Sequence, residues 1–333
     1  MKKHILYIIL IIGFSLSANA QEPFFSQPYG SSQFLNTASV GNGVYDQRIN
    51  GNVRTQFIDN NKAYQTVFVG WDFKDNRYRK NESHYMAYGV NILSDQMMGG
   101  AITTNHITAN IAYHLYLDRY YTRKISLGLG ATYTNTMVDR NKLIFGDQYN
   151  TFADLVNANS IELIRNNASK FSMNAGILFN KHNENEYLET GASVFFQSTP
   201  NLLSSTRETN MIPKTVLYAN YETAIGESFS INFHGSYINK NSINQVLSGG
   251  SIGIPISNDE EKDKKLYLGC YYRFEDALIP SVKLLMNKYV MGLSYDIYNN
   301  NITQARIKQN SFELTFSAAF GNKRPGLIRT IFD

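Results

Sequence analysis

The sequence alternates apolar and polar residues over unusually long runs. In residues 125–134, Leu127 and Leu129 fall on one face of an extended chain, whereas Ser126 and Thr132 fall on the other. The same two-residue period recurs in residues 103–117, 228–237 and 312–320. A helical period would scatter these residues around a cylinder, so the pattern predicts an all-β fold with one apolar face.

Counting such runs predicts fourteen strands. An even number allows both ends of the chain to lie on one side of a closed barrel. Two of the runs, 241–255 and 278–287, alternate poorly, which leaves twelve strands as an alternative. The predicted strands are 46–57, 62–73, 84–94, 103–117, 122–136, 169–180, 187–197, 213–224, 226–238, 241–255, 264–274, 278–287, 288–298 and 308–320.

The strand pattern favours a membrane β-barrel over a soluble β-sheet protein. Beyond the first twenty residues there is no apolar run of 18 or more, so a helical membrane span is excluded. Lipid requires every backbone polar group to be paired, which leaves a closed barrel as the way to cross it. A soluble β-sandwich also has alternating strands, but its strands are usually shorter, and Tyr and Phe recur here near strand ends, as in aromatic girdles. We therefore predict a transmembrane antiparallel β-barrel of the outer membrane over residues 46–320.

The first twenty residues have the features of an export signal. Lys2 and Lys3 precede an apolar stretch from Ile5 to Leu16, and Ala18-Asn19-Ala20 provides a small-x-small cleavage site. The mature chain is expected to begin at Gln21. Cys270 is the only cysteine, so we expect neither an N-terminal lipid anchor nor a disulfide framework, and we interpret it as a small apolar residue.

An aromatic, nearly uncharged segment follows the signal at residues 21–45. We expect it to pack at the periplasmic mouth of the barrel or inside the lumen, since so many aromatic side chains are unfavourable in water. The predicted anchors are Phe24, Phe25, Tyr29 and Phe34. The alternative is a disordered leader, which is common at chain termini.

The lengths of the connections predict which way the barrel faces. The connections 94–102, 137–168, 198–212 and 299–307 are longer than most of the alternate set, which is typical of outer loops above short periplasmic turns. Both termini, and the tail 321–333, are then periplasmic. A short helix folded over the barrel is possible at 152–165, and Phe320 resembles the terminal aromatic recognised during barrel assembly.

Catalytic and metal sites are not predicted. The polar residues expected on lumen faces are His106, Asn110, His114, Asn232 and His234. The first and second histidines are eight residues apart, roughly 26 Å along a strand, so they cannot share a metal or a proton. The glycines of Gly128-Leu129-Gly130 lie within a strand and open no helix, so they more plausibly relieve crowding than bind a dinucleotide. We expect no enzyme activity, no cofactor and no metal.

The charge distribution also argues against nucleic acid as a partner. Charged residues make up 17% of the chain, and the formal charge of +4 is spread without a basic block.

Two short motifs resemble those of the PorP/SprF family of outer-membrane barrels of the Bacteroidetes type IX secretion system. The first runs from Phe24-Phe25-Ser26-Gln27 through Phe34-Leu35-Asn36 to Gly41, where the family typically has FSQ and then a stretch like LNPAYAG. Thr37 and Ser39 replace the usual proline and tyrosine. The second is LIFGDQYN at 143–150, similar to the FGDQ or FPDQ of the family.

This resemblance implies a non-enzymatic barrel that helps secrete or anchor a surface protein, such as a gliding adhesin, with a type B C-terminal sorting domain. The implied partners are that protein, other type IX components, possibly a periplasmic peptidoglycan-associated protein, and outer-membrane lipid. The residues favoured for partner binding are Asp147, Gln148 and Tyr149, in the longest loop. The alternative function is a channel for hydrophobic or other small solutes, although the lumen faces are mainly polar.

Overall fold

The chain forms one closed antiparallel barrel of fourteen strands. The computed structural model describes residues 24–58, 61–75, 83–143, 148–150, 155–156, 165–183, 185–196, 213–226, 229–240, 243–256, 264–299 and 309–322. Neighbours in sequence are neighbours in the wall, and the first strand closes the barrel by pairing with the last. Among the described residues, no helix is both long and apolar enough to cross a membrane.

Sixteen strands are numbered here in chain order, and fourteen of them form the barrel. The remaining two, β6 (Tyr149–Asn150) and β7 (Leu155–Val156), make a separate small hairpin. The wall consists of β1 (Gln47–Ile58), β2 (Asn61–Lys74), β3 (His84–Met97), β4 (Ile102–Tyr116), β5 (Arg123–Val138), β8 (Asn167–His182), β9 (Glu186–Phe195), β10 (Lys214–Ile225), β11 (Phe229–Lys240), β12 (Ile243–Pro255), β13 (Lys264–Arg273), β14 (Ala277–Met286), β15 (Tyr289–Tyr298) and β16 (Gln309–Phe320).

The prediction of a fourteen-stranded barrel is confirmed, and the alternatives of twelve strands and of a β-sandwich are wrong. The two poorly alternating runs are both paired on each side, as β12 and β14. Their glycines and proline weaken the two-residue pattern, and the ladder between β14 and β15 is interrupted at Ile279 and Pro280 but resumes at Ser281. The prediction of a long connection at 94–102 is also wrong, because β3 and β4 extend to leave only residues 98–101 between them.

The two faces of the wall differ as the alternation predicts. On β5, the outward side chain of Leu129 is 64% exposed, whereas the inward side chain of Thr132 is 3% exposed. Cys270 also lies on an outward, exposed position. Inward positions are polar and nevertheless buried, including Arg273 and Lys283. These inward side chains must therefore be covered by other atoms that occupy the lumen.

The two ends of the barrel carry different connections. We call the end where β1 begins at Gln47 and β16 ends at Phe320 the terminal mouth, and the opposite end the loop mouth. The three longest connections, 139–166, 196–213 and 299–308, all leave from the loop mouth. Within the first of them, Leu155 and Val156 form strand β7, so the short helix considered for 152–165 does not include these two residues; residues 152–154 and 157–164 lie outside the described residues. The signal region 1–20 and the tail beyond residue 322 lie outside the described residues.

Candidate functional site

Residues 24–45, which we call the lumen segment, fill the inside of the barrel. The segment contains only short helical turns, at Pro28–Ser31, Ser32–Leu35 and Thr37–Ser39, and then enters β1. Most of its residues are buried although none belongs to the sheet. An isolated single helical turn is unstable in water, so the shape of the segment depends on its contacts with the wall.

Aromatic side chains of the segment gather towards the loop mouth. The rings of Phe25 and Phe34 meet edge to face, with centroids 5.7 Å apart, and Phe25 also contacts Phe68 of β2. The ammonium group of Lys214 lies 3.8 Å from the centroid of the Phe34 ring. The guanidinium carbon of Arg273 lies 5.2 Å from the Phe24 ring centroid. These cation–π contacts hold the aromatic residues against charged groups of the wall.

Two carboxylates bind the start of the segment. The carboxylate of Glu313 accepts hydrogen bonds from the backbone N–H groups of Ser26, at 2.6 Å, and Gln27, at 2.7 Å. Asp296 accepts a bond of 2.9 Å from the Ser26 hydroxyl. Bonds to ionised groups are stronger than neutral ones, so this is a firm attachment.

Two arginines complete this attachment. Arg54 and Arg273 lie 2.8 Å and 2.7 Å from the same oxygen of Asp296. Arg54 also donates to the carbonyl oxygen of Phe24 at 2.7 Å. We call Arg54, Arg273, Asp296 and Glu313 the latch.

Tyr29 and Gln33 connect the segment to the middle of the wall. The hydroxyl of Tyr29 lies 2.9 Å from that of Thr315, and the Lys283 ammonium lies 4.6 Å from the Tyr29 ring centroid. Gln33 donates to Asp72 at 3.0 Å and accepts bonds from amide groups of β3 and β4. Both side chains thus bind buried polar residues of the wall.

Glycines of the wall allow the segment's backbone to come close. A Cβ atom at Gly128 would lie 2.3 Å from the backbone nitrogen of Ala38, and one at Gly176 would lie 2.0 Å from the side-chain oxygen of Asn36. Asn36 also donates to the carbonyl of Ile177 at 2.9 Å. The glycines therefore make room for the segment, which is a more specific role than the relief of crowding expected from the sequence.

Charged and aromatic residues hold the segment near the terminal mouth. Arg48 donates to the carbonyl of Ser39 at 3.1 Å, and the Asn42 amide donates to Glu189 at 2.5 Å. Val44 and Tyr45 then pack on Ala319 before β1 begins. The lumen segment therefore spans the barrel from the loop mouth to the terminal mouth.

The five polar residues predicted for the lumen are all on inward positions. His106 bonds Thr134 at 2.9 Å, and His114 bonds the carbonyl of Val40 at 2.7 Å. Asn110 donates to the Gln33 side chain, Asn232 donates to Ser251, and His234 bonds Asn220. Three of these bonds are within the wall and two reach the segment. No cluster of three or more His, Cys, Asp or Glu residues suited to a metal occurs among the described residues.

The residues favoured for partner binding are only partly described. Asp147 lies outside the described residues, Gln148 is 8% exposed, and Tyr149 pairs with Val156 in the small hairpin.

The sequence analysis did not identify the four latch residues. They could have been found as charged residues at inward positions of the predicted strands, because most other inward positions carry Ser, Thr or Asn.

A closed barrel with an apolar outer surface and a filled polar lumen defines an integral protein of the outer membrane. Three solved structures share this fold. The Ralstonia pickettii toluene transporter TbuX is 7% identical with a TM-score of 0.51, covering 87% of this chain and 93% of that one. A Pseudomonas aeruginosa FadL homologue is 10% identical with a TM-score of 0.53, covering 91% and 100%. A TodX deltaS2S3 mutant monoaromatic hydrocarbon channel is 9% identical with a TM-score of 0.53, covering 87% and 94%.

The sequence itself gives the family. The family model described as type IX secretion system membrane protein PorP/SprF matches residues 17–318. The chain belongs to the PorP/SprF family, and its place in the outer membrane follows from the family and the fold together. A search of curated protein sequences finds no significant match.

Proposed function

We propose that this barrel helps a secreted surface protein with a type B C-terminal sorting domain to reach or remain on the cell surface. The observation that supports the proposal most is the family match over residues 17–318, which makes the chain a type IX secretion membrane protein. The same proposal includes periplasmic termini, a non-enzymatic role, and contacts with other type IX components and with a periplasmic peptidoglycan-associated protein.

The loop mouth is the end we propose for partner binding. All three of the longest connections leave from this mouth, and one of them carries the β6–β7 hairpin with Gln148. With periplasmic termini, this mouth faces outside the cell. Residues 147–149 lie in the longest connection, and we propose that they contact the partner.

Replacing part of the longest connection tests this proposal. Residues 144–164 are exchanged for a short Gly-Ser linker, and residues 165–166 are kept because the carbonyl of Asn166 accepts a bond from Val138. We expect the barrel to stay in the outer membrane while one surface protein is released into the medium. The control exchanges 257–263, at the terminal mouth, for the same linker and should release nothing.

The result also separates the two functions considered. If the 144–164 variant keeps every surface protein attached but loses growth on a hydrophobic nutrient, the channel function is favoured and the secretion proposal fails. The structural likeness to hydrocarbon transporters shows the fold alone, because the identities are 7–10%.

A further inference from the structure

The lumen segment is attached to the barrel in two different ways at its two ends. At the terminal mouth it continues covalently into β1 at Gln47. At the loop mouth it is held by the latch, which binds Phe24, Ser26 and Gln27 without covalent bonds. Only the latched end can therefore leave its position while the barrel stays closed.

The barrel wall does not need the segment for its own closure. Every one of the fourteen strands pairs with two neighbouring strands of the wall, and no barrel ladder includes a residue of the segment. The segment is joined to the wall by neutral hydrogen bonds, by the charged groups of the latch, and by apolar contacts of residues such as Leu35 and Val40. Water can replace the neutral polar bonds at modest net cost, whereas bonds to ionised groups are stronger.

The wall facing the segment is polar beneath the aromatic cluster. On β11, β14 and β15, the buried atoms His234 Nε2, Ser281 Oγ and Ser294 Oγ have no hydrogen-bond partner within the described residues. Buried polar atoms of this kind are normally satisfied by water. A lumen freed of the segment would consequently be hydrated and would favour hydrophilic solutes.

We propose that the lumen segment is a gate, hinged at Tyr45–Gln47 and closed by the latch, and that its release makes the barrel a pore for ions and small hydrophilic solutes. Glu313 is the central latch residue because its two oxygens hold successive backbone N–H groups. The proposal does not depend on the identity of any secreted partner. It also differs from a hydrocarbon channel in the solute that it admits.

The opening of the gate can be measured as ion conductance through the barrel in a planar lipid bilayer. All variants carry Cys270→Ala to remove the one native thiol. We expect the parent protein to be mostly closed and Glu313→Gln to raise the open probability at least tenfold, because one of the two backbone N–H groups loses its acceptor. Glu186→Gln is the matched control, since this carboxylate is half-exposed and bonds Lys181 at the terminal mouth.

A disulfide tests whether movement of the segment causes the conductance. A Cβ built on Gly30 would lie 2.9 Å from the Cβ of Thr315, closer than the roughly 3.5–4.5 Å that a disulfide spans, so the bond forms after the segment moves about 1 Å away from β16. Gly30→Cys with Thr315→Cys, added to Glu313→Gln, should be silent when oxidised and conducting after reduction. Swelling of liposomes in a small neutral sugar, compared with a large dextran, should give the same order of variants.

Three outcomes would overturn the gate. They are a parent protein that conducts as much as Glu313→Gln, a Glu313→Gln barrel that stays closed although correctly assembled, and a cross-linked barrel that conducts as freely as the reduced one. Assembly is checked by the different gel migration of unheated and heated samples. If Glu313→Gln does not assemble, Ser26→Ala replaces it, because it removes a bond to Asp296 while leaving the wall unchanged; a closed Ser26→Ala barrel then overturns the gate.

Discussion

At the scale of single residues, depth in the membrane determines the effect of a charge on the outer face. Leu129 is strongly exposed to lipid near the middle of β5, and Met137 lies on the same face eight residues further along, roughly 26 Å away. Leu129→Arg should cost about 2–4 kcal/mol, whereas a charge near the interface costs about 0–1 kcal/mol. We expect Leu129→Arg to lower the amount of assembled barrel and Met137→Arg to change it little. Similar losses for both would contradict the register of β5.

Thr132, on the inward face of the same strand, is a poorer control than its polar position suggests from the sequence. It is buried and bonds Thr108 at 2.9 Å, and it accepts a bond from Asn174 at 2.7 Å. An arginine there would be crowded even though the face is polar. A polar residue that faces the lumen of this barrel therefore does not mark a position with room for a larger side chain.

A methyl group should be enough to disturb the close contact at Gly128. A Cβ there would lie 2.3 Å from the backbone nitrogen of Ala38, whereas a Cβ at Gly235 would meet nothing within 4 Å. Gly128→Ala should cost about 1–3 kcal/mol through overpacking, and Gly235→Ala should be neutral. The stability of both variants is measured as the temperature at which the band of folded barrel disappears in gels. An unchanged temperature for Gly128→Ala would show that the segment does not press on the wall there.

At the scale of elements, the strands were predictable and the lumen segment was only partly so. The two-residue period is local, so β5 and β11 can be found from their own residues. The latch joins Ser26 to Glu313, which are 287 positions apart, and no local pattern states which inward residues meet across a lumen. The anchors Phe24, Phe25, Tyr29 and Phe34 were visible as apolar residues, but the direction in which the segment runs has no signal of its own.

The last strand provides a test at this scale. Phe320 ends β16 opposite Gln47, and the backbone of Asn322 donates to Asp46 at 3.0 Å. Deleting residues 323–333 should leave the barrel assembled, because these contacts are kept. Phe320→Ser should lower the abundance of the barrel, as measured by the amount of heat-modifiable protein in outer membranes. A barrel lost on deletion of the tail alone would assign the tail a structural role.

At the scale of the whole molecule, the closed hydrogen-bond ladder predicts a characteristic behaviour in gels. All fourteen barrel strands are paired on both sides, so detergent alone should leave the barrel folded. We expect unheated protein to migrate differently from heated protein and to be recovered with the outer membrane. Recovery as a soluble periplasmic protein would contradict the membrane barrel.

The latch also has a consequence for the order in which the molecule is made. Glu313 belongs to β16 and binds both the lumen segment and Asn52 of β1, so one side chain joins the segment to the two strands that meet last. The segment is made first, yet its partners on β16 are made almost at the end of synthesis. If the segment lies inside the curling sheet when β1 and β16 come together, Ser26, Gln27 and Asn52 meet Glu313 in one step. The segment would then act as a template on which the seam closes, in addition to any later movement through the loop mouth.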